Sequence, residues 1–414
     1  MEPITRIPST PRPDSARRVL PVLMGVMVIA FVCVTAFMAG YALRWWQDEG
    51  AHPVGDVPTA QQERIKLFWE AWHLIEEHFY YTEPLDYDAM VQGATAGMVE
   101  TLGDDHTAWL DPQTARLMSE DLSGTFEGIG ATVDMVDNRL TIVRPLAGSP
   151  AERAGLRAGD VIVAVDGRPL GKTTLVEAIM LIRGPAGSTV RLQVQRPKDG
   201  RLEEFELEVR RERITLPTVE SKILSGGVGY IRLTEFNSLA AGEVQKALRE
   251  LNRQGMKGLV LDLRDNPGGY LDAAVEIADE FLEEGLIVTE RDREGEGNDY
   301  SARRGGLATE IPLVVLVNGA SASASEIVAG AIQDQGRGTL IGEQTFGKGS
   351  VQMTFALRDG SSLQVTVARW FTPSGRLIDG EGLMPDIVVP LTAEDSDAGR
   401  DPQLARALEF LVGP

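Results

Sequence analysis

The chain has 414 residues, room for two or three domains, and its 43% hydrophobic and 24% charged residues are the mix of a folded body rather than a disordered one. A formal net charge of −21 argues against nucleic acid as a partner, because gripping a phosphate backbone takes basic patches. The single cysteine, Cys33, rules out internal disulfides, thiol catalysis downstream and cysteine-based zinc sites, and the four histidines all precede residue 107, so a Ser-His-Asp triad would have to borrow a distant one.

Residues 1–18 read as a short tail carrying Arg6, Arg12, Arg17 and Arg18. From Val19 to Leu43 the sequence has no charge, and about 20 apolar residues suffice to cross a bilayer. The arginines on its N-terminal side make that side cytoplasmic, and Tyr41, Trp45 and Trp46 suit an interfacial anchor. An uncleaved span is favoured over a signal peptide, because no small-x-small cleavage site precedes the polar sequence. Residues 44–60 form a linker. Across 61–122, Ile65, Phe68, Trp69, Trp72, Ile75 and Phe79 recur at intervals of three and four and predict an amphipathic helix over Gln61–Tyr80, followed by a second over Tyr87–Leu102. Core packing is the expectation for any one residue of the first helix, with self-association of its aromatic face as the other reading.

Residues 123–213 resemble a PDZ domain, a small β-barrel with two helices. The run SPAERAGLRAGDVIVAVDG, Ser149–Gly167, carries the resemblance, with a short helix, glycine turns at Gly155 and Gly159, and a strand ending at Asp166-Gly167. Gly128, Ile129 and Gly130 then resemble the loop that holds a chain-terminal carboxylate. Successive backbone N–H groups nest the anion there while the peptide adds as a strand. Arg183 closes the second helix of this domain, where a cation also suits the helix dipole.

Residues 214–391 read as the remaining large domain. Strand, glycine-rich turn and helix occur twice, at Gly258–Leu263 with Asp265-Asn266-Pro267-Gly268-Gly269 and helix Leu271–Leu282, and at Leu313–Val317 with Ser321-Ala322-Ser323-Ala324-Ser325 and a helix over Ile327–Ile332. Two such units place two helix starts side by side on parallel strands. A serine in the second turn lies at a helix N-terminus, whose free N–H groups can stabilise an oxyanion. Downstream, Gly347-Lys348-Gly349 presents one lysine. A lysine serves as a base only if burial lowers its pKa from about 10.4, and the stretch Gln344–Leu357 contains no acid. Asp292–Gly306 is charged and glycine-rich and is expected to be a mobile loop, and Ser361–Phe371 a strand. Residues 392–414 form an acidic tail with a helix over Gln403–Leu411 and no assigned role.

SASASEI followed by TFGKGSVQ resembles the carboxyl-terminal processing proteases, tail-specific Ser/Lys peptidases. Leu102–Pro112, Thr372–Arg376 and Gly382–Ile387 are similar to further motifs of that family, with Asp105-His106 departing from a usual Pro-aromatic pair. The resemblance runs from about Lys66 to Val389. It implies Ser323, rather than Ser321 or Ser325, as nucleophile, Lys348 as general base and Gln352 as the residue orienting the lysine. It also implies an oxyanion hole from the N–H groups of Gly269 (Gly268 less so) and Ala324, and an Arg183 that senses bound peptide.

The expected protein is therefore an α+β multidomain chain with a transmembrane helix, a helical segment, a PDZ domain and a β/α catalytic domain with a crotonase- or Clp-protease-like core. Its expected function is that of a bacterial, membrane-anchored, extracytoplasmic serine endopeptidase acting on proteins with a free C-terminus, without metal or cofactor. A catalytically silent PDZ adaptor is the alternative. An acyl-CoA enzyme of similar layout is a third reading, against which the absence of a basic CoA-binding cluster weighs.

Overall fold

The structure, a computed structural model, describes residues 59–198 and 201–413. The expected N-terminal tail, membrane span and most of the linker lie outside the described residues; among those residues no helix is long and apolar enough to cross a membrane. The chain divides into a unit up to Tyr87 and a unit from Asp88 onward.

In the first unit helix α1, Thr59–His78, carries the predicted 3–4 periodicity. Its aromatic residues are not packed into a core as expected. Phe68, Trp69, Ile75 and Phe79 remain 39% to 58% exposed. Phe68, Trp69 and Trp72 meet one another, Trp72 stacks on Tyr87, and Phe79 stacks on Tyr81.

The second unit opens with α2, Tyr87–Glu100, strand β1, Ala108–Leu110, and α3, Pro112–Leu122. Asp111 caps α3 by accepting the N–H groups of Gln113 and Thr114, and Pro112 needs no partner at N1. Next come β2, Thr125–Gly128; β3, Ala131–Val136; β4, Arg139–Pro145; α4, Pro150–Arg153; β5, Val161–Val165; β6, Arg168–Pro169; α5, Leu175–Ile182; β7, Thr189–Lys198; β8, Arg201–Arg210; and β9, Glu212–Thr215. Strands β3-β4-β5-β7-β8 form one antiparallel sheet with β6 on β5, over a core that includes Leu140, Ile142, Ile162 and Val194. The pairing of β2 with β9 closes the entry and exit of this domain.

The catalytic region continues with β10, Val219–Ile223; β11, Val228–Leu233; α6, Ala240–Arg253; β12, Gly258–Asp262; α7, Leu271–Asp279; β13, Leu286–Asp292; β14, Asp299–Ser301; β15, Leu313–Val317; α8, Ala324–Asp334; β16, Thr339–Gly342; β17, Ser350–Ala356; β18, Ser362–Phe371; β19, Ile387–Val388; α9, Ala393–Asp397; and α10, Pro402–Val412. A six-stranded sheet runs β10-β11-β12-β15-β16-β19, parallel from β11 onward. Every residue of β12 and β15 is buried, as a parallel sheet covered on both faces requires. Leu259, Leu261, Val315 and Val317 face the core under α6, α7 and α8, while Val260, Val314 and Leu316 face a second cluster that includes Ala407 of α10. The tail helix thus has a structural role that its sequence did not disclose: it covers the second face of the sheet. Asp292–Gly306 is likewise not a plain loop. Strands β13 and β14 pair as a hairpin, across which Arg291 bonds Asp299 at 2.6 Å.

One polar contact fixes α10 to the sheet. Arg264 donates to both oxygens of Asp262, to both oxygens of Asp401 and to Gln403 at 2.6 to 3.0 Å, and Asp262 also accepts the Tyr230 hydroxyl. Asp262 is 1% exposed. Removing the cation strands a buried carboxylate, a loss of about 3–5 kcal/mol. The substitution Arg264→Ala should therefore lower the urea midpoint steeply, whereas a change within the range of ordinary surface substitutions would show that water satisfies Asp262.

Candidate active site

Both predicted strand–turn–helix units form, and their turns touch. Strands β12 and β15 are parallel neighbours, so the turns that follow them leave the same sheet edge together. The serine run stitches the pair. Ser321 Oγ donates to Leu263 O at 2.8 Å, Ser325 Oγ donates to Asn266 O at 2.9 Å, and Ala322 N donates to Asn266 O at 3.0 Å. Ser321 and Ser325 are buried and engaged by these bonds, while Ser323 between them is half-buried.

Ser323 departs from ordinary backbone geometry, with φ 53° and ψ −113°. A non-glycine residue is rarely found there, and the cost is about 1–3 kcal/mol. The arrangement has the shape of a nucleophile elbow, a sharp turn from strand to helix at which a side chain is presented beyond the sheet edge. Gly268, at φ 106°, makes the elbow possible: a methyl group on it would lie 2.8 Å from both Ser323 Cβ and Ala322 O. The Gly268 N–H is occupied, donating to Asn266 Oδ1 at 2.9 Å. The N–H groups of Gly269 and Ala324 donate to no protein acceptor among the described residues. Ala324 N is a first-turn helix amide, the kind of donor an oxyanion can use.

Lys348 lies between β16 and β17 and is half-buried. Burial pushes its pKa down from the ordinary lysine value, and the Asp104 carboxylate offsets part of that effect. The acid-free run around Lys348 therefore does not give an acid-free surrounding, because Asp104 arrives from a distant loop and Glu326 from α8. No hydrogen bond joins Ser323 Oγ to Lys348 Nζ among the described residues. Catalytic contacts are often loose without substrate. Gln352 is on β17, and its Nε2 donates to Ser350 Oγ at 2.8 Å and Thr366 Oγ1 at 3.3 Å, not to the lysine.

Sequence reasoning missed Glu326, which is 0% exposed. Its carboxylate accepts Ser323 N at 2.8 Å, Lys348 N at 3.0 Å, Gly347 N at 2.8 Å and Thr345 Oγ1 at 2.5 Å. Oε2 takes both the Ser323 and the Lys348 amides, so two hydrogen-bond lengths separate the two backbone nitrogens at most. Burial raises the pKa of Glu326 above the usual carboxylate value, and the four donors offset part of that rise. A signal was present: glutamate three residues after a serine that opens an apolar helix is the spacing of a capping box.

In the PDZ-like domain a groove of about 230 Å³ is lined by Phe126, Ile129, Gly130, Val133, Ile182 and Arg183, among others. The Ile129 and Gly130 N–H groups donate to no protein acceptor among the described residues, and Gly130 has φ 73° with Ser149 packed against it. Gly128 ends β2, next to the groove-lining Ile129. Arg183 lies over the Phe126 ring at 4.3 Å and donates to Glu120 at 2.6 Å and Asp121 at 3.2 Å on α3.

A family model for peptidase family S41 matches residues 227–389, and one for the PDZ domain matches residues 141–196. The chain is 39% identical over 335 residues to the carboxy-terminal-processing protease of Bartonella bacilliformis, covering 79% of this chain and 76% of that one. It is 43% identical over 325 residues to the carboxyl-terminal-processing protease of a Picosynechococcus species, covering 77% of each. Among solved structures, the photosystem II D1 C-terminal processing protease is similar at TM-score 0.50 and 33% identity, over 86% of this chain and 99% of that one.

The substitution Glu326→Gln keeps the shape but replaces one acceptor oxygen by an amide NH2 that faces other donors, leaving the buried groups on that side unsatisfied at about 1–3 kcal/mol each. Peptide hydrolysis should fall more than about tenfold, and the melting temperature should drop as well. Wild-type turnover in this variant would show that the two turns hold their places without the carboxylate.

Proposed function

The chain belongs to the carboxy-terminal-processing proteases of peptidase family S41, and from that premise we propose how this serine protease cuts and where it works. Ser323 is the nucleophile and Lys348 its base. The observation that carries this reading is the Glu326 carboxylate, which bonds the backbone of both residues at once. Neutral Lys348 takes the Ser323 hydroxyl proton as Oγ attacks the scissile carbonyl. The new C–O bond leaves the negative charge on the carbonyl oxygen, held by the N–H groups of Gly269 and Ala324. When that intermediate collapses, the C–N bond breaks and the Lys348 ammonium returns the proton to the leaving amine. Water then attacks the ester carbonyl as Lys348 takes its proton, the acyl C–O bond to Ser323 breaks, and the Lys348 ammonium returns the proton to Ser323 Oγ as the carboxylate product leaves. Gln352 orients the base by fixing β17 rather than by touching the amine.

The substrate is a protein with a free C-terminus. Its apolar last residue enters the groove beside Ile129 and Ile182, and its carboxylate lies on the Ile129 and Gly130 amides. Arg183 can report on occupancy, because a tail carboxylate competes with Glu120 and Asp121 for the guanidinium. No observation favours the adaptor reading. The uncharged span from Val19 to Leu43 with arginines before it supports a single-pass anchor in a bacterial membrane and a catalytic body outside the cytoplasm. The exposed aromatic face of α1 supports self-association through the N-terminal helices.

Cleavage of an unstructured protein should be lost in both Ser323→Ala and Lys348→Ala. Burial of Lys348 lowers its pKa, so less alkaline solution suffices to make it neutral. The acid limb of kcat/KM should accordingly lie below the ordinary lysine value of about 10.4. A limb at or above that value would reject a desolvated lysine, and equal turnover of free and amidated tails would reject carboxylate capture. Full-length protein should stay with membranes through alkaline carbonate washing and cross-link to itself. Release by the wash would reject the anchor, and monomers alone would reject self-association.

A further inference from the structure

The turn before β1, Leu102-Gly103-Asp104-Asp105-His106-Thr107, is far from Lys348 in sequence but is drawn to it in space. Strand β1 pairs with β18 from Ala108–Gln364 to Leu110–Ser362, and Trp109 Nε1 donates to Ser361 Oγ at 3.2 Å. That pairing brings the preceding turn to the middle of β18, where Thr366 lies opposite Gln352 of β17. A connected set of hydrogen bonds results. Gln352 Nε2 donates to Thr366 Oγ1 at 3.3 Å, and the Thr107 hydroxyl donates to Asp104 Oδ2 at 2.5 Å. Thr366 N donates back to Thr107 Oγ1 at 3.0 Å, and the His106 amide donates to Asp104 Oδ1 at 3.2 Å.

We propose that Asp104 is a positioning residue for the general base: through Thr366 and Thr107 it fixes Gln352 and strand β17, and its carboxylate is the counter-charge that the Lys348 ammonium meets during the reaction. The proposal rests on the assignment of Lys348 as base. The donors around Asp104 are all of a kind that an ionised carboxylate accepts. Burial pushes its pKa up, but the Thr107 and Thr366 hydroxyls and the His106 amide outweigh that and hold it below the usual carboxylate value, so it is charged at any working pH.

Other charges surround Lys348. Asp105 and His106 are in the same turn. Glu326 on α8 is already bound by four donors. Asp379 accepts Gly349 N at 3.1 Å and lies 3.5 Å from Arg369 of β18, with Glu381 two residues further along that turn. Of these, Asp104 is the one whose charge raises the lysine's proton affinity against burial. A base needs both effects. Burial alone would make the amine neutral but leave nothing to stabilise the ammonium once it holds the serine proton, and an unopposed carboxylate would keep it protonated. The simpler role, an aspartate that only shapes its own turn, predicts a loss of folding stability but no change in how Lys348 titrates.

The test is the pH profile of kcat/KM for Asp104→Asn and Asp104→Glu, beside wild type and Lys348→Ala, with a melting curve for each. Removing the negative charge lowers the lysine's proton affinity, so in Asp104→Asn the acid limb should move to lower pH by about one pH unit. Turnover on the plateau should fall severalfold, KM should change little, and Asp104→Glu should return the limb toward wild type. An acid limb that stays in place while activity or melting temperature falls would overturn the proposal, as would a limb moved to higher pH. Should the asparagine variant not fold, Asp104→Ser, which keeps an acceptor for the His106 amide, gives the same reading. The two assignments fail separately. If Lys348→Ala keeps activity, the base itself is wrong. If Lys348→Ala is silent and the Asp104→Asn limb is unmoved, only the role of Asp104 falls.

Discussion

One buried carboxylate joins the two turns of the candidate site. Glu326 begins the helix that Ser323 opens, and it reaches across to the amides of Gly347 and Lys348. Burying a carboxylate is costly unless its oxygens are filled, and here four donors fill them. Breaking any of those bonds leaves a charge without a partner in a dry place, so the penalty for separating the two turns is large even though the net gain from joining them is modest. That asymmetry makes a glutamate better than an apolar contact for the task. An apolar contact tolerates sliding, whereas a two-oxygen acceptor with fixed donors does not.

The parallel sheet delivers the parts to the place where this carboxylate can act. Strands β12 and β15 are neighbours, and the turns beyond their carboxyl ends bring Gly268 against Ser323. Both strands are buried on both faces, under α6–α8 on one side and α10 on the other. Lys348, by contrast, comes from the segment between β16 and β17, so the site also depends on the second sheet. Strand β18 is the common support of that sheet: it pairs with β17, β13 and β1, and in this way ties the turn that carries Asp104 to the strand that carries Gln352.

The two strand–turn–helix units of the candidate site were legible in the sequence because their signals are local. The apolar runs of β12 and β15, the glycines of the turn after β12 and the small-residue run with Ser323 each state what the backbone does within a few residues. What escaped was whatever depends on distant partners. Glu326 was visible as a helix-capping spacing, but its second set of partners lies near Lys348. Asp104 shapes its own turn, and nothing near it in sequence points to β18. The tail helix had no reading because its partner is the far face of a sheet, and Arg264 shows as an ordinary charged residue until Asp401 is brought beside it. The hairpin of β13 and β14 was hidden for a different reason. Strand β14 is only Asp299-Tyr300-Ser301, too short to show an alternation, and it is reached through a charged, glycine-bearing turn; the Arg291–Asp299 contact across the hairpin joins residues that read as loop.

The strained backbone at Ser323 persists because everything around it is over-determined. Relaxing φ from 53° would require either α8 or β15 to move, yet Ala324 through Ile332 of the helix and all of the strand are buried. The flanking serines add directional bonds to Leu263 O and Asn266 O, which pin the residues on either side of the elbow while leaving the central hydroxyl out of the network. A strain of about 1–3 kcal/mol is small against those constraints. It is also local, so it strains Ser323 without loosening the fold that holds it. The same reasoning explains why polar groups cluster here rather than in the core of the sheet: each holds a backbone segment at an angle that apolar packing alone would let drift, and the proposed chemistry needs those angles.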